Sequence, residues 1–271
     1  MQYKLVAIDL DDTLLDRDQG LSPEAISTVR LLEDSGVKVI IATGRMLVSA
    51  MPYIKELGLS GPMITYNGAY VKNISDGTLL FHQPIRMDLA REIIDYALEN
   101  DLHINIYQDD QLYVAERNRE SRYYEKTSGV MARVVGSLQE FIDRDVIKLL
   151  IVELDWQRKR YYMDLLKEKF SSRVTVTESK KAYIEFMAPG VSKGRALRKV
   201  AENLGIKREE VIAIGDSWND LEMIEWAGLG IVMEGSPEEL KKEADLVALP
   251  PDRDGVPLVL KEIFGKILDK Y

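Results

Sequence analysis

The chain contains no cysteine among its 271 residues. A disulfide framework, a thiolate metal site and a cysteine nucleophile are therefore excluded. Long apolar runs are also missing, because no stretch approaches the roughly 18 apolar residues that a membrane helix needs. The first residues lack the long apolar region and small-residue cleavage site of a signal peptide. We therefore expect a cytoplasmic protein with no membrane partner.

Positive charge is the scarcer sign, with 36 Lys and Arg against 45 Asp and Glu and a net charge of -9. This balance argues against nucleic acid as a partner. With 46% hydrophobic residues, the chain is long enough for one large domain or two modest domains, each with its own core. No heptad pattern is visible, and we expect a monomer or a weak homo-oligomer.

The N-terminal segment alternates strand, helix and strand. The apolar run Lys4–Leu10 predicts a strand, Ser22 with Pro23 predicts a helix start, and Val37–Ala42 predicts a second buried strand. Such a unit is parallel and right-handed, so functional groups are expected at the carboxyl ends of its strands. The fold class is therefore α/β, with a doubly wound, Rossmann-like parallel sheet.

The same order of elements returns near the C-terminus, whereas residues 85–188 follow another pattern. There, a helix is followed by two alternating strands, and the unit occurs twice. We expect an α+β domain at 85–188, inserted into an α/β domain formed by 1–84 and 189–271. The predicted elements are helices at Ser192–Asn203, Trp218–Ala227, Met87–Glu99 and Trp156–Phe170, and strands at Val211–Ile214, Leu229–Met233, His103–Gln108, Gln111–Ala115, Arg173–Thr177 and Ala182–Met187.

Two carboxylates end the first predicted strand. The two-residue spacing of Asp9 and Asp11 predicts that both side chains point to the same side. An aspartate is ionised at neutral pH and attacks phosphorus without a separate base. Asp9 is the predicted nucleophile, and Asp11 is placed to protonate the departing alkoxide and then to deprotonate water.

Like charges about 4 Å apart repel by on the order of 4 kcal/mol at an effective dielectric near 20. Mg²⁺ suits carboxylate and phosphate oxygens and offsets that repulsion. Asp216 and Asp220 follow a predicted strand and are the candidate partners of Asp9 at the metal.

Three further residues are candidates for phosphate binding. Thr43 and Gly44 end the second strand where a helix is expected to begin, which predicts a hydroxyl and free backbone N–H groups for a phosphate. Lys193 is placed to put a point charge on the transferring phosphoryl group.

Four motifs stand in order along the chain. They are Asp9-Leu10-Asp11-Asp12-Thr13, Thr43-Gly44-Arg45, Lys193, and Gly215 to Asp220. Together they resemble the haloacid dehalogenase superfamily of phosphatases. The large insert, with Tyr66-Asn67-Gly68-Ala69 and Gly190 to Gly194, looks like the Cof-type branch with a type IIB cap.

The resemblance implies a mobile cap over the site and a role for each matching residue. Asp9 is nucleophile and metal ligand, and Asp11 is the acid/base whose backbone carbonyl also binds Mg²⁺. Thr43 and Lys193 hold the phosphoryl group. Asp216 is a metal ligand that Asp220 supports.

Other implied roles are secondary. Asn219 is expected to position Lys193 or the phosphate, and Arg45, Asn67 and Gly68 are possible substrate residues. The chain has Asp12 where the family often has glycine.

The expected activity is a Mg²⁺-dependent phosphoric monoester hydrolase. Its substrate is expected to be a small phosphorylated metabolite such as a sugar phosphate, attacked through an aspartyl-phosphate. Two alternatives stay open: a phosphomutase whose closed cap excludes water, and a non-catalytic sugar-phosphate-binding module.

Overall fold

The computed structural model describes residues 2–178 and 181–268. Two compact units are present, one formed by Met1–Arg45, Ala50–Phe81 and Ser192–Tyr271, the other by Met46–Ser49 and His82–Val191. The domain boundaries proposed from the sequence stay a proposal. No helix in the described ranges has the length and apolar character needed to cross a bilayer.

The strands, in chain order, are β1 Leu5–Ile8, β2 Lys38–Ile41, β3 Pro62–Thr65, β4 Tyr70–Asn73, β5 Leu79–His82, β6 His103–Gln108, β7 Gln111–Val114, β8 Arg133–Val134, β9 Lys148–Val152, β10 Thr175–Thr177, β11 Tyr183–Met187, β12 Val211–Gly215, β13 Leu229–Met233 and β14 Leu246–Ala248. The helices are α1 Pro23–Asp34, α2 Leu47–Leu57, α3 Met87–Glu99, α4 Arg119–Ser128, α5 Leu138–Phe141, α6 Trp156–Phe170, α7 Lys193–Asn203, α8 Leu221–Trp226, α9 Glu238–Lys241 and α10 Gly255–Leu268.

The first unit contains a parallel sheet in the order β14-β13-β12-β1-β2. All four residues of β1 are buried, as are all five of β12, because helices cover both faces of a parallel sheet. The hydroxyl of Ser22 accepts the N–H of Ala25 at 3.0 Å and starts α1, as the sequence predicted. The predicted α/β class with an inserted cap domain is confirmed.

The second unit, the cap, contains a six-stranded sheet in the order β10-β11-β9-β6-β7-β8. Its apolar face includes Ile104, Ile151 and Phe186, which belong to one core with residues of α3 and α6. Glu185 accepts from Lys148 at 2.8 Å, and both side chains are buried.

Two sequence-based expectations need correction. The interpretation as two helix-strand-strand units omitted β9, which lies between β11 and β6 in the sheet. The helix predicted at Trp218–Ala227 begins only at Leu221, because the preceding residues form a turn around the Asp220 carboxylate.

Candidate active site

Three neighbouring strands end at one edge of the parallel sheet. Asp9 follows β1, Asp216 follows β12, and Thr43 comes two residues after β2. Because β1 pairs in parallel with both β2 and β12, their carboxyl ends lie side by side. The topology therefore brings together residues that are up to 207 positions apart in the sequence (9 to 216).

Lys193 is the first residue of α7, and its ammonium group is buried between two carboxylates. Its Nζ donates to Asp9 Oδ1 at 2.5 Å and to Asp220 Oδ1 at 2.6 Å. Burial by itself lowers the pKa of Lys193, but the charges of Asp220 and Asp9 outweigh it and raise that pKa above its ordinary value. Lys193 is therefore a fixed positive charge.

Asp9, Asp216 and Asp220 form an acidic cluster in which one carboxylate oxygen of each lies within 4.8 Å of the others. Burial, followed by the neighbouring carboxylate of Asp220, raises the pKa of Asp216 to about 7. Burial also raises the pKa of Asp9 well above its usual range, although Lys193 opposes the shift. The three carboxylates and Lys193 leave two uncompensated negative charges when all are ionised, which suits a divalent cation.

Asp220 organises the loop that carries Asp216. Its second oxygen accepts the N–H groups of Asp216 and Ser217, each at 3.1 Å. Thr13 donates to Asp216 Oδ1 at 3.2 Å. The hydroxyl of Thr13, in the first motif, thus helps to orient the carboxylate of Asp216.

Asp11 is not one of the three clustered carboxylates, and its side chain contacts Arg45. The strand β1 ends at Ile8, and Leu10–Leu14 form a turn, so the alternation predicted for Asp9 and Asp11 does not continue. Arg45 donates to Asp11 Oδ2 through Nε at 2.8 Å and to Asp11 Oδ1 through Nη2 at 2.5 Å. Arg45 also donates to the side chain of Gln19 and to the hydroxyl of Tyr53, two residues that carried no readable signal in the sequence.

The segment Thr43-Gly44 agrees only in part with the prediction of a phosphate-binding hydroxyl followed by a helix start. Thr43 is buried, and its Oγ1 accepts the N–H of Arg45 at 3.1 Å, which leaves the hydroxyl proton available. No helix begins directly after Gly44, because α2 starts at Leu47. The N–H groups of Leu47 and Val48 donate to Asp110 in the cap unit and are not free for a phosphate.

Asn219 contacts Asn67. Its Nδ2 donates to Asn67 Oδ1 at 3.0 Å. The carboxamide of Asn67 lies against Gly44, where an added Cβ would be 2.9 Å from Asn67 Oδ1. The structure thus brings together three of the sequence candidates, Gly44, Asn67 and Asn219, and Gly68 follows Asn67 in the same loop.

The family model for haloacid dehalogenase-like hydrolases matches residues 6–260. The chain belongs to this family. Its resemblance to the Cof-type phosphatases of the haloacid dehalogenase superfamily is confirmed, and the chain is a phosphoric monoester hydrolase.

Relatives of this haloacid dehalogenase-like hydrolase are similar over nearly their whole length. The 5-amino-6-(5-phospho-D-ribitylamino)uracil phosphatase YitU of Bacillus subtilis is 31% identical over 268 residues, which cover 96% of this chain and 97% of YitU. The crystal structure of TM0651 from Thermotoga maritima has a TM-score of 0.90 at 34% identity and covers 96% of this chain and 97% of its own. A structure described as the subclass IIB sugar phosphatase BT4131 has a TM-score of 0.80 at 20% identity, covers 96% and 98%, and supports the type of fold.

The backbone conformation at position 12 explains why the family often has glycine after the second aspartate of the first motif. Asp12 has a φ of 57°, in the left-handed region that glycine adopts most readily. Aspartate tolerates this region better than most residues, so the departure from glycine is accommodated.

Proposed function

We propose that this hydrolase is a Mg²⁺-dependent phosphatase that cleaves small phosphomonoesters through an aspartyl-phosphate on Asp9. The observation that carries the proposal is the buried cluster in which Lys193 contacts Asp9 and Asp220 while Asp216 lies beside them. The carboxylate oxygens of this cluster are the donors that Mg²⁺ prefers.

Asp9 and Asp216 would hold the metal directly, with the backbone carbonyl of Asp11 as the third protein ligand that the family resemblance implies. Asp220 is also a candidate ligand, but its oxygens already contact Lys193 and two backbone amides. Its role is therefore to orient Asp216 and Lys193. When bound, Mg²⁺ would neutralise charge on the phosphoryl oxygens and keep Asp9 ionised.

The reaction runs in two displacements. An oxygen of Asp9 bonds to phosphorus as the bond from phosphorus to the ester oxygen breaks, and Asp11 gives a proton to the departing alkoxide. Asp11 then takes a proton from water as the water oxygen bonds to phosphorus, which releases inorganic phosphate and restores Asp9.

Residues around the cluster bind the phosphoryl group in this proposal. Lys193 supplies a positive charge, and the Thr43 hydroxyl and the backbone at Gly44 donate hydrogen bonds. The bidentate contact from Arg45 orients the carboxylate of Asp11.

We propose sugar phosphates or chemically similar metabolites as substrates, with the cap domain selecting the organic half. YitU supports this class, because its name describes a substrate with phosphate on a ribityl chain.

The test measures inorganic phosphate released from p-nitrophenyl phosphate and from a panel of sugar and sugar-alcohol phosphates, with Mg²⁺ or with excess chelator. We expect turnover that needs Mg²⁺ and falls at least about 10³-fold in Asp9→Asn, because no other nucleophile replaces Asp9. Asp12→Asn is the matched control, since it makes the same chemical change in the same loop and asparagine also tolerates the left-handed region.

Three results would contradict the proposal. Turnover that survives in Asp9→Asn would exclude the aspartyl-phosphate. Transfer of the phosphoryl group to a second hydroxyl without phosphate release would show a mutase. Tight sugar-phosphate binding without any turnover would show a binding module.

A further inference from the structure

Three consecutive residues after β3 have positive φ angles: Tyr66 at 52°, Asn67 at 55° and Gly68 at 99°. For residues other than glycine such angles cost on the order of 1 kcal/mol or more each, and they persist where the surrounding structure fixes them. Contacts with neighbouring segments must therefore hold the loop Tyr66–Gly68 in this unfavourable backbone conformation.

Those contacts come from the segments that carry the candidate phosphate-binding residues. The N–H of Tyr66 donates to the carbonyl of Arg45 at 3.0 Å, and the N–H of Asn67 donates to the carbonyl of Thr43 at 3.1 Å. A Cβ added to Gly68 would lie 2.2 Å from the carbonyl oxygen of Ser192, the residue before Lys193. The backbone of the loop thus lies against both segments.

The side chain of Asn67 adds a third connection. Its Oδ1 accepts from Asn219 Nδ2 at 3.0 Å, and Asn219 precedes Asp220 in the loop that bears Asp216. The same carboxamide lies over Gly44, whose missing side chain leaves room for it. Asn67 therefore contacts the phosphate-binding segment on one side and the acidic loop on the other.

We propose that Asn67 is a positioning residue, and that its bond to Asn219 fixes the spacing between the phosphoryl-binding segment Thr43–Arg45 and the metal-binding loop Asp216–Asp220. This inference rests on the proposed function, since it assigns ligands to both segments. It replaces the expectation that Asn67 binds substrate, because the oxygen that Asn67 presents is already engaged by a protein donor. Catalysis demands such a link, since a shift of about 1 Å between reacting groups costs on the order of 10²-fold in rate.

The consequence is a thermodynamic coupling between two ligands. A metal ion and a phosphate that share one site change each other's binding by the same factor. Because the cation and the anion attract each other, we expect that change to be a tightening. If Asn67 and Asn219 hold the two segments at the required spacing, loss of their hydrogen bond should reduce the factor by which phosphate tightens metal binding. The ligand-binding residues of each segment stay unchanged in such a variant.

The key variant is Asn67→Gly. Glycine adopts a positive φ without strain, so the variant keeps the backbone of the loop and removes only the carboxamide. Asn219→Ala removes the other half of the contact, and the double variant tests whether the two act as one unit. Asp101→Gly is the matched control, because Asp101 has a φ of 53° in the other unit of the chain.

The readout is Mn²⁺ binding followed by electron paramagnetic resonance, with and without saturating inorganic phosphate. We expect phosphate to tighten Mn²⁺ binding in the parent and in Asp101→Gly. In Asn67→Gly and in Asn219→Ala we expect that tightening factor to fall about tenfold, and the double variant to be no worse than either single variant. In turnover assays kcat should fall about 10- to 100-fold with KM changed less than about threefold.

Several outcomes would overturn the inference. An unchanged coupling factor in Asn67→Gly would mean that only the backbone conformation matters. Additive losses in the double variant would mean that the two side chains act separately, and a parent without phosphate–Mn²⁺ coupling would mean that the two segments bind no common pair of ligands. Turnover by the parent, measured separately, tests the proposed function, because the coupling measurement requires binding and no reaction.

Discussion

Lys193 and Asp220 form an ion pair at 2.6 Å in which each side chain is 1% exposed. The ammonium group also contacts Asp9, so a single lysine balances two buried carboxylates. Removal of one partner from a buried pair leaves an uncompensated charge, which is far more costly than the loss of an exposed pair.

Lys193→Ala should therefore affect both stability and activity. We expect the free energy of unfolding of the metal-free protein to fall by about 3–5 kcal/mol, and kcat to fall by about 10²- to 10³-fold. Urea denaturation and phosphate release measure the two effects. Lys199→Ala, an exposed lysine on the same helix, is the control and should leave kcat unchanged; equal behaviour of the two variants would refute this role.

Stability of the metal-free protein should depend on pH through Asp216 and Asp9. Burial raises the pKa of Asp216 from 3.8 to about 7 and raises that of Asp9, so the folded state binds more protons than the unfolded state. The contribution of these groups to stability is thus present at low pH and is lost as the pH rises toward about 7.

A bound divalent cation competes with those protons, so Mg²⁺ should stabilise the protein more at high pH than at low pH. We expect the melting temperature to rise by several degrees with Mg²⁺ at about pH 8 and by less at about pH 5.5. Asp216→Asn should remove most of this difference. A Mg²⁺ effect that is the same at both pH values would contradict the assignment of the cluster as the metal site.

Arg45 should matter most for substrates whose leaving group needs a proton. It donates two hydrogen bonds to Asp11, the proposed acid, and general acid catalysis contributes about 10²- to 10⁴-fold for a poor leaving group. In Arg45→Met we expect kcat/KM for a sugar phosphate to fall at least about tenfold more than kcat/KM for p-nitrophenyl phosphate. Equal losses for both substrates would mean that Arg45 acts on binding rather than through Asp11.

The left-handed conformation of Asp12 allows the effect of its negative charge to be separated from the effect of backbone strain. Asp12→Gly and Asp12→Ala both remove the carboxylate, but only glycine adopts a φ of 57° without strain. We expect Asp12→Ala to be less stable than Asp12→Gly by about 1 kcal/mol. Thermal unfolding of the two variants measures the difference, and a more stable alanine variant would show that the backbone relaxes.

Within the cap, Lys148 and Glu185 form a buried ion pair. We expect substitutions of the two residues to have non-additive effects on the free energy of unfolding. Lys148→Met should destabilise the protein by about 3–5 kcal/mol because Glu185 is left buried without its cation. Adding Glu185→Leu should recover most of that loss, since a well-packed apolar pair can replace a buried ion pair. Urea denaturation of both single variants and the double variant completes the cycle, and a double variant no more stable than Lys148→Met would contradict it.

Local patterns in the sequence were sufficient for many of the elements. The predicted bounds of α3, α6, β6 and β13 agree with the structure, because apolar periodicity and helix start signals depend on neighbouring residues. Asp109 and Asp110 join β6 to β7, and both have positive φ angles, as a tight turn requires. The central strand β9 was missed, although its sequence Lys148–Val152 is almost wholly apolar.

What the sequence by itself determined is the family, through the order of the motifs, and the residue types that predict phosphoryl transfer: aspartate, threonine and lysine at strand and helix ends. Only the tertiary structure decided how those side chains pair. Lys193 lies between Asp9 and Asp220, Asp11 contacts Arg45, and Asn67 bonds to Asn219. The physical reason is that distant residues, such as Asp9 and Lys193 or Asn67 and Asn219, meet only when parallel strands align their carboxyl ends. For the nearer pairs as well, no local pattern encodes which oxygen faces which donor.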